Sequence, residues 1–442
     1  MAFLLVTVRD LRVVTTSRAP LNVAAEKVVL LDQLAPADGA ALFVRRARAA
    51  RPSADLDPEV VAEVVARLDG LPLAIELAAA RIRAMSLEEL RQRLDDRFAV
   101  LRGRDRSAPA RHQTLTAVIA WSWDLLAPAE QRALAWLSVF HDGFGATPAE
   151  GLIGADAMDR VEALVDQSLL SVVESDGVAR FRMLETVREF ATLRLVEAGE
   201  RTAALEAQTR WALDLADRVG GQLFGPDQVN GVDVLSREEN NLADVLRRAM
   251  ADDDAATAVQ LLAKLGILWA ITGNHPRVFS LADGAERMLE EWVPPPELVP
   301  ITQNALGILL SHLGVLQNRD VDSLVAAMER LGRPEEPWAL ATYAMFVDAR
   351  QESDRTAAML RMAESPDRAT AVMALQWAAV LAENDGQIAA AASYARLAME
   401  LVDETTTPWQ LASLHTHLAM LAMHVGDHRS ADDHAERAWP LL

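Results

Sequence analysis

Glycine and alanine recur along the second half of the sequence at a period near 40 residues. Gly386 and Gly426 stand 40 apart, and each is followed by alanine at +5, +9 and +12: Ala391, Ala395 and Ala398, then Ala431, Ala435 and Ala438. Gly273 is followed at the same offsets by Val278, Ala282 and Ala285. Gly266 and Gly273 are seven residues apart, as are Gly307 and Gly314, and the two pairs are separated by 41. Small residues at helical spacing let two helix axes approach closely. A glycine just past the last helical position can adopt the left-handed conformation that closes a helix. The pattern therefore confines residues 201–442 to antiparallel helix hairpins stacked in a row. First helices are expected over Leu265–Thr272, Ala305–Leu313, Leu375–Glu383 and Leu414–Val425. Residues 315–370 match the pattern poorly, and Val293-Pro294-Pro295-Pro296 is expected to break the array.

This repeat resembles the tetratricopeptide pattern, with a spacing longer than its ideal. Upstream the pattern differs. Asp57 and Pro58 suit the N-cap and first position of a helix running to about Leu68, which Asp69-Gly70 closes. Pro72 opens another, over Leu73–Ala84, and Ser86 with Glu89 forms a capping box for a third that ends near Phe98. Residues 112–200 place helices from Leu115, from Pro128 and from a Thr147-Pro148-Ala149-Glu150 capping box, then one near 157–167. Two short runs follow, Leu169–Val173 and Ala179–Met183, joined by the hairpin signal Ser175-Asp176-Gly177, and a helix runs from Glu185 to about Ala198. Helices, hairpin and closing helix in that order describe a winged helix-turn-helix. The β-branched run Leu11–Arg18 reads as a buried strand.

Several chemistries are excluded or disfavoured. The sequence holds no cysteine, which removes disulfides, thiol nucleophiles and thiolate metal sites. Its only lysines are Lys27, after Glu26, and Lys264, after Ala263, so no Gly-Lys-Ser/Thr phosphate loop is present. No apolar run of membrane-spanning length and no signal-peptide layout is found, and the expectation is a soluble, cytoplasmic protein without membrane contact. The net charge of −21 divides as +3 over residues 1–111, −8 over 112–200 and −16 over 201–442. An acidic body of this kind argues against nucleic acid as the main partner. The helix near 157–167 carries Asp156, Asp159, Glu162 and Asp166 against Arg160, and four carboxylates beside phosphates oppose groove binding. That module is read as a packing domain, with direct DNA binding by a repressor as the alternative. The arginines from Arg81 to Arg111 interleave with Glu88, Glu89, Asp95, Asp96 and Asp105 and are read as a solvated face. His415, His417, His424, His428 and His434 are read as solvated helix ends; no metal site is expected.

A resemblance covers nearly the whole chain. Val13-Val14-Thr15-Thr16-Ser17-Arg18 resembles the sensor-1 strand of NB-ARC-type signal-transduction ATPases with numerous domains, and Gly70-Leu71-Pro72-Leu73-Ala74 resembles their GLPL motif. Arg111-His112-Gln113-Thr114-Leu115 and Trp121-Ser122-Trp123-Asp124-Leu125-Leu126 are similar to the start of the winged helix in bacterial SARP-type and LuxR-like transcriptional regulators of that group. Arg182-Met183-Leu184-Glu185-Thr186-Val187-Arg188 is similar to the segment that holds the MHD motif. Glu239-Asn240-Asn241-Leu242 resembles the opening of the repeat region.

The resemblance implies a mainly α chain: a β remnant of a P-loop NTPase domain over residues 1–25, a helical ARC-like domain over 26–111, a winged helix over 112–200 and a tetratricopeptide-like α-solenoid over 201–442. It implies that Arg18 senses the γ-phosphate and Pro72 packs on adenine, in an architecture that binds ATP or ADP when complete. The MHD histidine position is Leu184 here, which makes no phosphate contact. Walker A and Walker B precede the sensor strand in that family and are not found, so Arg18 and Pro72 are expected to be vestigial and the chain non-catalytic, without a cofactor. The expected function is regulatory signal transduction, with the repeats recognising a protein or small-molecule ligand; oligomerisation is compatible with this. Trp269 and Trp377 are the bulkiest residues on the first helices, and each suits either a partner-binding anchor or a core position.

Overall fold

Prolines set several helix starts in the first part of the chain. The computed structural model describes residues 27, 29, 32–94, 119–120, 122–175, 177–225, 227–317, 319–352, 354–403 and 406–441. The chain divides into two compact units, residues 1–208 and 209–442.

In the first unit, Pro36, Pro58 and Pro72 open α1 (Pro36–Ala50), α2 (Pro58–Arg67) and α3 (Pro72–Arg81). The ring presets the helical φ, and the N–H that proline lacks would have had no partner there. Asp57 caps α2 by accepting from the Glu59 amide at 2.8 Å, as expected from the sequence. Ser86 and Glu89 form the expected capping box of α4 (Leu87–Arg93), with reciprocal bonds of 3.1 and 2.8 Å. Phe43, Val61, Val65 and Ile75 are buried where α1 packs against α2 and α3. A Cβ on Gly39 would lie 2.6 Å from Val65 Cγ1, so α1 requires glycine at that crossing.

Further along come α5 (Pro128–Leu137), α6 (Ala146–Ile153) and α7 (Ala157–Asp166), then β1 (Ser171–Ser175) paired antiparallel with β2 (Val178–Arg182). Gly177 turns the hairpin at φ +73°. Helix α8 (Glu185–Glu197) closes the segment, and Gly199 follows at φ +70°. Phe140, Phe144, Phe181 and Phe190 are buried in its core, and Phe144 exchanges backbone hydrogen bonds of 3.0 and 2.8 Å with Phe181. One expectation is corrected: α6 starts at Ala146 after Gly145, without a side-chain cap, so Thr147 lies inside the helix rather than capping it.

The second unit is helical among its described residues. Helix α9 (Arg201–Gly220) contains the division between units. A short 3₁₀ turn precedes α10 (Gln228–Ala251), α11 (Ala255–Ile271) and α12 (His275–Glu291). Helix α13 (Val299–Leu309) continues as a π-helical segment over Leu310–Leu316 and is followed by α14 (Asp322–Leu331). Helix α15 (Pro337–Tyr343) passes through a second π segment, Ala344–Asp348, before Ala349–Glu352. After α16 (Arg355–Met362), two long hairpins end the unit: α17 (Arg368–Asn384) with α18 (Ile388–Glu400), and α19 (Pro408–His424) with α20 (His428–Ala438). Helices α11, α13, α15 and α17 pack in succession as an inner row, while α12 and α14 form part of an outer one.

The small-residue pattern has two physical meanings. Gly273, Gly386 and Gly426 follow α11, α17 and α19 at φ +71°, +75° and +76°, so they are helix terminators. Gly266 and Gly307 are contact points: a Cβ would meet Ile308 Cγ2 at 2.5 Å and Thr342 Oγ1 at 2.8 Å. Gly314 breaks the analogy with Gly273, because it sits inside the π segment against Phe346, 2.5 Å from where its Cβ would lie. Nor does Val293–Pro296 interrupt the array, since α11 packs on α13 and α12 on α14 across it. The helix Pro296–Leu316 is long and apolar enough to cross a membrane, with mean hydropathy 1.3. However, 67% of its apolar window is buried within the protein.

Candidate functional site

Helices of the second unit line a half-open cavity of about 170 Å³. Its lining comes from the C-terminal end of α11 (Ala270), the start of α12 (His275), the first π segment (Ser311, His312), α15 (Trp338), α17 (Trp377) and α19 (Trp409, Gln410). Three indoles converge there, and Trp338 and Trp377 meet edge to face with centroids 6.2 Å apart. Among the described residues, no lysine, arginine, aspartate or glutamate lines the cavity.

Its polar groups are few and well defined. His312 is 2% exposed, and burial pushes its pKa down to about 4, so the imidazole is neutral near pH 7. Its Nδ1 lies 2.8 Å from the Ile308 carbonyl, which makes Nδ1 the donor. Nε2 then accepts from His275 Nδ1 at 3.2 Å. Gln376 donates to Ser413 Oγ at 2.8 Å, which fixes both side chains at the lining. Trp338 Nε1 and Gln410 Nε2 are buried without a hydrogen-bond partner, closed to water and so behind the cavity surface. An orphaned buried donor costs about 1–3 kcal/mol. A π segment adds one residue to a turn and re-aims the side chains it carries; here it brings Ser311 and His312 to the lining.

Among the residues expected at sites, Trp377 is half-buried on the cavity lining. Trp269 takes the core alternative: it is 1% exposed and donates from Nε1 to Glu239 Oε1 at 2.8 Å. That bond explains the Glu239-Asn240-Asn241 motif locally. Glu239 also faces Arg277 at 3.5 Å, and Asn240 accepts from Arg277 at 2.9 Å, so the motif ties α10 to α11 and α12. Arg18, the strand Leu11–Arg18 and Arg111–Leu115 lie outside the described residues. Pro72 is exposed at the first turn of α3, and the preceding turn is held by a 3.1 Å bond from the Leu34 amide to the Gly70 carbonyl. Asp69 accepts from the Thr186 amide at 3.0 Å, so that turn is bonded to the start of α8 beside Leu184.

The terminal histidines are not all solvated helix ends. His415 and His417 are buried; His415 Nδ1 lies 2.9 Å from His434 Nδ1, and His417 Nε2 lies 2.8 Å from Glu383 Oε2. Among the described residues, no group of three histidines or carboxylates is placed to hold a metal ion. Sequence reasoning missed His275, His312, Trp338, Trp409 and Gln410. One signal was present: Trp338, Trp377 and Trp409 recur 39 and 32 residues apart, near the glycine period.

No family model matches the chain. Proteins named HTH-type transcriptional regulators in Mycobacterium bovis and Mycobacterium tuberculosis are 35% identical over 274 residues, 59% of this chain and 30% of each relative. An uncharacterised M. tuberculosis protein is 36% identical over 206 residues, 44% of this chain and 52% of its own length. Regulatory protein AfsR of Streptomyces griseus is 33% identical over 186 residues, 40% of this chain and 18% of its own. A crystal structure of a signal transduction ATPase with numerous domains and a tetratricopeptide repeat sensor, from Pyrococcus horikoshii, aligns with 93% of this chain and 60% of its own. The TM-score is 0.38 and the identity 15%. The chain spans 30% of the length of the HTH-type regulators it matches. By sequence it is similar to portions of bacterial transcriptional regulators.

Proposed function

We propose that this chain is the sensing part of a switch-type transcriptional regulator, in which the helical array binds an effector and the segment 112–200 serves as a winged-helix-like packing module. The supporting observation is the cavity lined by Trp338, Trp377 and Trp409, with no charged side chain among its described lining residues. Such a cavity, mostly apolar with a few convergent polar groups, has the character of a small-molecule site. The described lining residues include no carboxylate, lysine or arginine, and on this reading the chain's part is recognition. The test is a fragment screen by ligand-observed NMR on the full chain, repeated on Ala270→Phe, which fills the cavity from the end of α11. Fragments bound by the parent and lost from the variant support the reading; a hit list unchanged by the substitution would overturn it.

The relatives' printed names keep a second reading open, direct DNA contact by the 112–200 module. Its α7 carries Asp159, Glu162 and Asp166, preceded by Asp156 at 75% side-chain exposure. A gel shift on nonspecific duplex DNA is expected to show no binding that weakens steeply with salt. A slope equivalent to several released counterions would favour this second reading instead.

A further inference from the structure

Indole makes up much of the cavity wall. Trp338, Trp377 and Trp409 are each half-buried on the lining, and the planes of Trp338 and Trp377 meet at 69°, so these two form a corner. The third is placed by the curl of the array. Helix α10 lies near the start of the second unit and α19 near its end, yet the Trp409 amide donates to Gln228 Oε1 at 2.8 Å. The cavity is half open, so a group bound there keeps contact with water on one side.

Two polar atoms of the lining are acceptors because the network around them makes them so. His312 donates through Nδ1 to the Ile308 carbonyl and accepts at Nε2 from His275 Nδ1, which leaves a lone pair on Nε2 of a neutral His275. Gln376 donates through Nε2 to Ser413 Oγ, and its Oε1 is the acceptor that remains. Neither His275 Nε2 nor Gln376 Oε1 has a partner among the described residues, and neither is closed to water as Trp338 Nε1 and Gln410 Nε2 are. Burial holds His312 neutral near pH 7, and no lysine or arginine stands on the described lining. Residues 201–442 as a whole carry a net charge of −16.

These features select a charge. An anion would meet the negative faces of the indoles with no cation to pair it. A metal ion or a primary ammonium is strongly hydrated and would lose part of its water without gaining a carboxylate. An ammonium ion covered by methyl groups spreads its charge and is weakly hydrated, and indole faces attract it through their quadrupole. The acidic array also raises the local concentration of such a cation. We propose that the cavity binds a methylated ammonium group, its methyls against Trp338, Trp377 and Trp409 and its charge toward the lone pairs of His275 and Gln376. This inference rests on the reading of the array as a sensor and specifies what it senses, an organic cation.

The test uses the full chain labelled with ¹⁵N in its indoles, with two signals assigned from Trp377→Phe and Trp409→Phe. Choline is the probe, at pH 8, above the ordinary imidazole range. Its comparison is 3,3-dimethylbutan-1-ol, which has the same shape with carbon in place of the charged nitrogen. Choline is expected to move both signals at millimolar concentration, and the alcohol to bind about fivefold more weakly or worse. Sodium chloride at about 0.5 M should weaken the binding of choline and not that of the alcohol. Gln376→Lys sets a positive charge on the lining; it should abolish choline binding and spare the alcohol, with circular dichroism and melting temperature confirming an intact fold. Should that variant unfold, Trp377→Leu replaces it: loss of one indole face should weaken choline several-fold more than the alcohol. If the alcohol binds as tightly as choline, or if choline ignores both the salt and the substitution, the ligand class is wrong. The same holds if neither compound binds while fragment hits are lost from Ala270→Phe, and in that case the sensor reading stands. If neither compound binds and the fragment hits are indifferent to Ala270→Phe, both fall.

Discussion

At the residue scale, two tryptophans on equivalent helices have opposite exposures. Trp269 is sealed between α10 and α11 with its indole N–H on Glu239, whereas Trp377 is half-buried on a cavity wall. Trp269→Ala should therefore cost ~3–5 kcal/mol of stability in urea unfolding, and Trp377→Ala distinctly less. Equal losses would mean that the wall is as tightly packed as the core. His312 supplies a second outcome. Its pKa falls from 6.5 to about 4 on burial, so between those values the unfolded chain binds the extra proton and the folded chain does not. Stability should thus be lost as pH falls from about 6.5 toward 4, by about 3 kcal/mol from this residue. Burial lowers His415 and His434 in the same direction. His312→Gln should flatten this part of the pH–stability curve, read by urea midpoints at pH 7.5, 6 and 5; an unchanged slope would place the titration elsewhere.

At the element scale, glycines of one repeat pattern act by different physics. Ala at Gly266 would drive a methyl into Ile308 and wedge α11 from α13, an overpacking cost of ~1–3 kcal/mol. Ala at Gly426 meets nothing within 4 Å, and its cost is the left-handed backbone alone, about 1 kcal/mol. Ile308→Ala should relieve the first substitution and leave the second untouched, a contrast that thermal melts of the single and double variants would reveal. This difference also explains what was legible in the sequence. Asp57, Ser86 with Glu89, Gly177 and Gly199 act on their own neighbours, so their elements could be read within a few residues of the observed ends. The π segments could not, since no local cap or turn residue marks them, and the contact they carry, Gly314 on Phe346, crosses from one interrupted helix to another. The cavity was hidden with them, since Ser311 and His312 reach it only through the altered turn. Trp377 stood out by size alone, and its partners Trp338 and Trp409 lie on helices that only the curl of the array brings together.

At the scale of the whole molecule, the question is whether the chain can act on a nucleotide. An NTPase site needs a glycine-rich loop whose amides cradle the phosphates, a lysine reaching the outer two, and a carboxylate holding Mg²⁺. Both lysines of this sequence stand outside any such loop, and burying a triphosphate against the two groups suggested by resemblance, Arg18 and Pro72, would leave most of its charge unpaired. A ligand that binds the folded state stabilises it by RT ln(1 + [L]/Kd), about 2.7 kcal/mol at a hundredfold excess over Kd, so even modest nucleotide affinity would be visible in a melt. The full chain with millimolar Mg·ATP should show no rise in melting temperature and no phosphate release above a buffer control. A rise that returns to baseline in Arg18→Ala would show that this arginine still serves a nucleotide. A rise that survives that substitution, but disappears in Trp377→Ala, would assign the adenine ring to the array cavity instead.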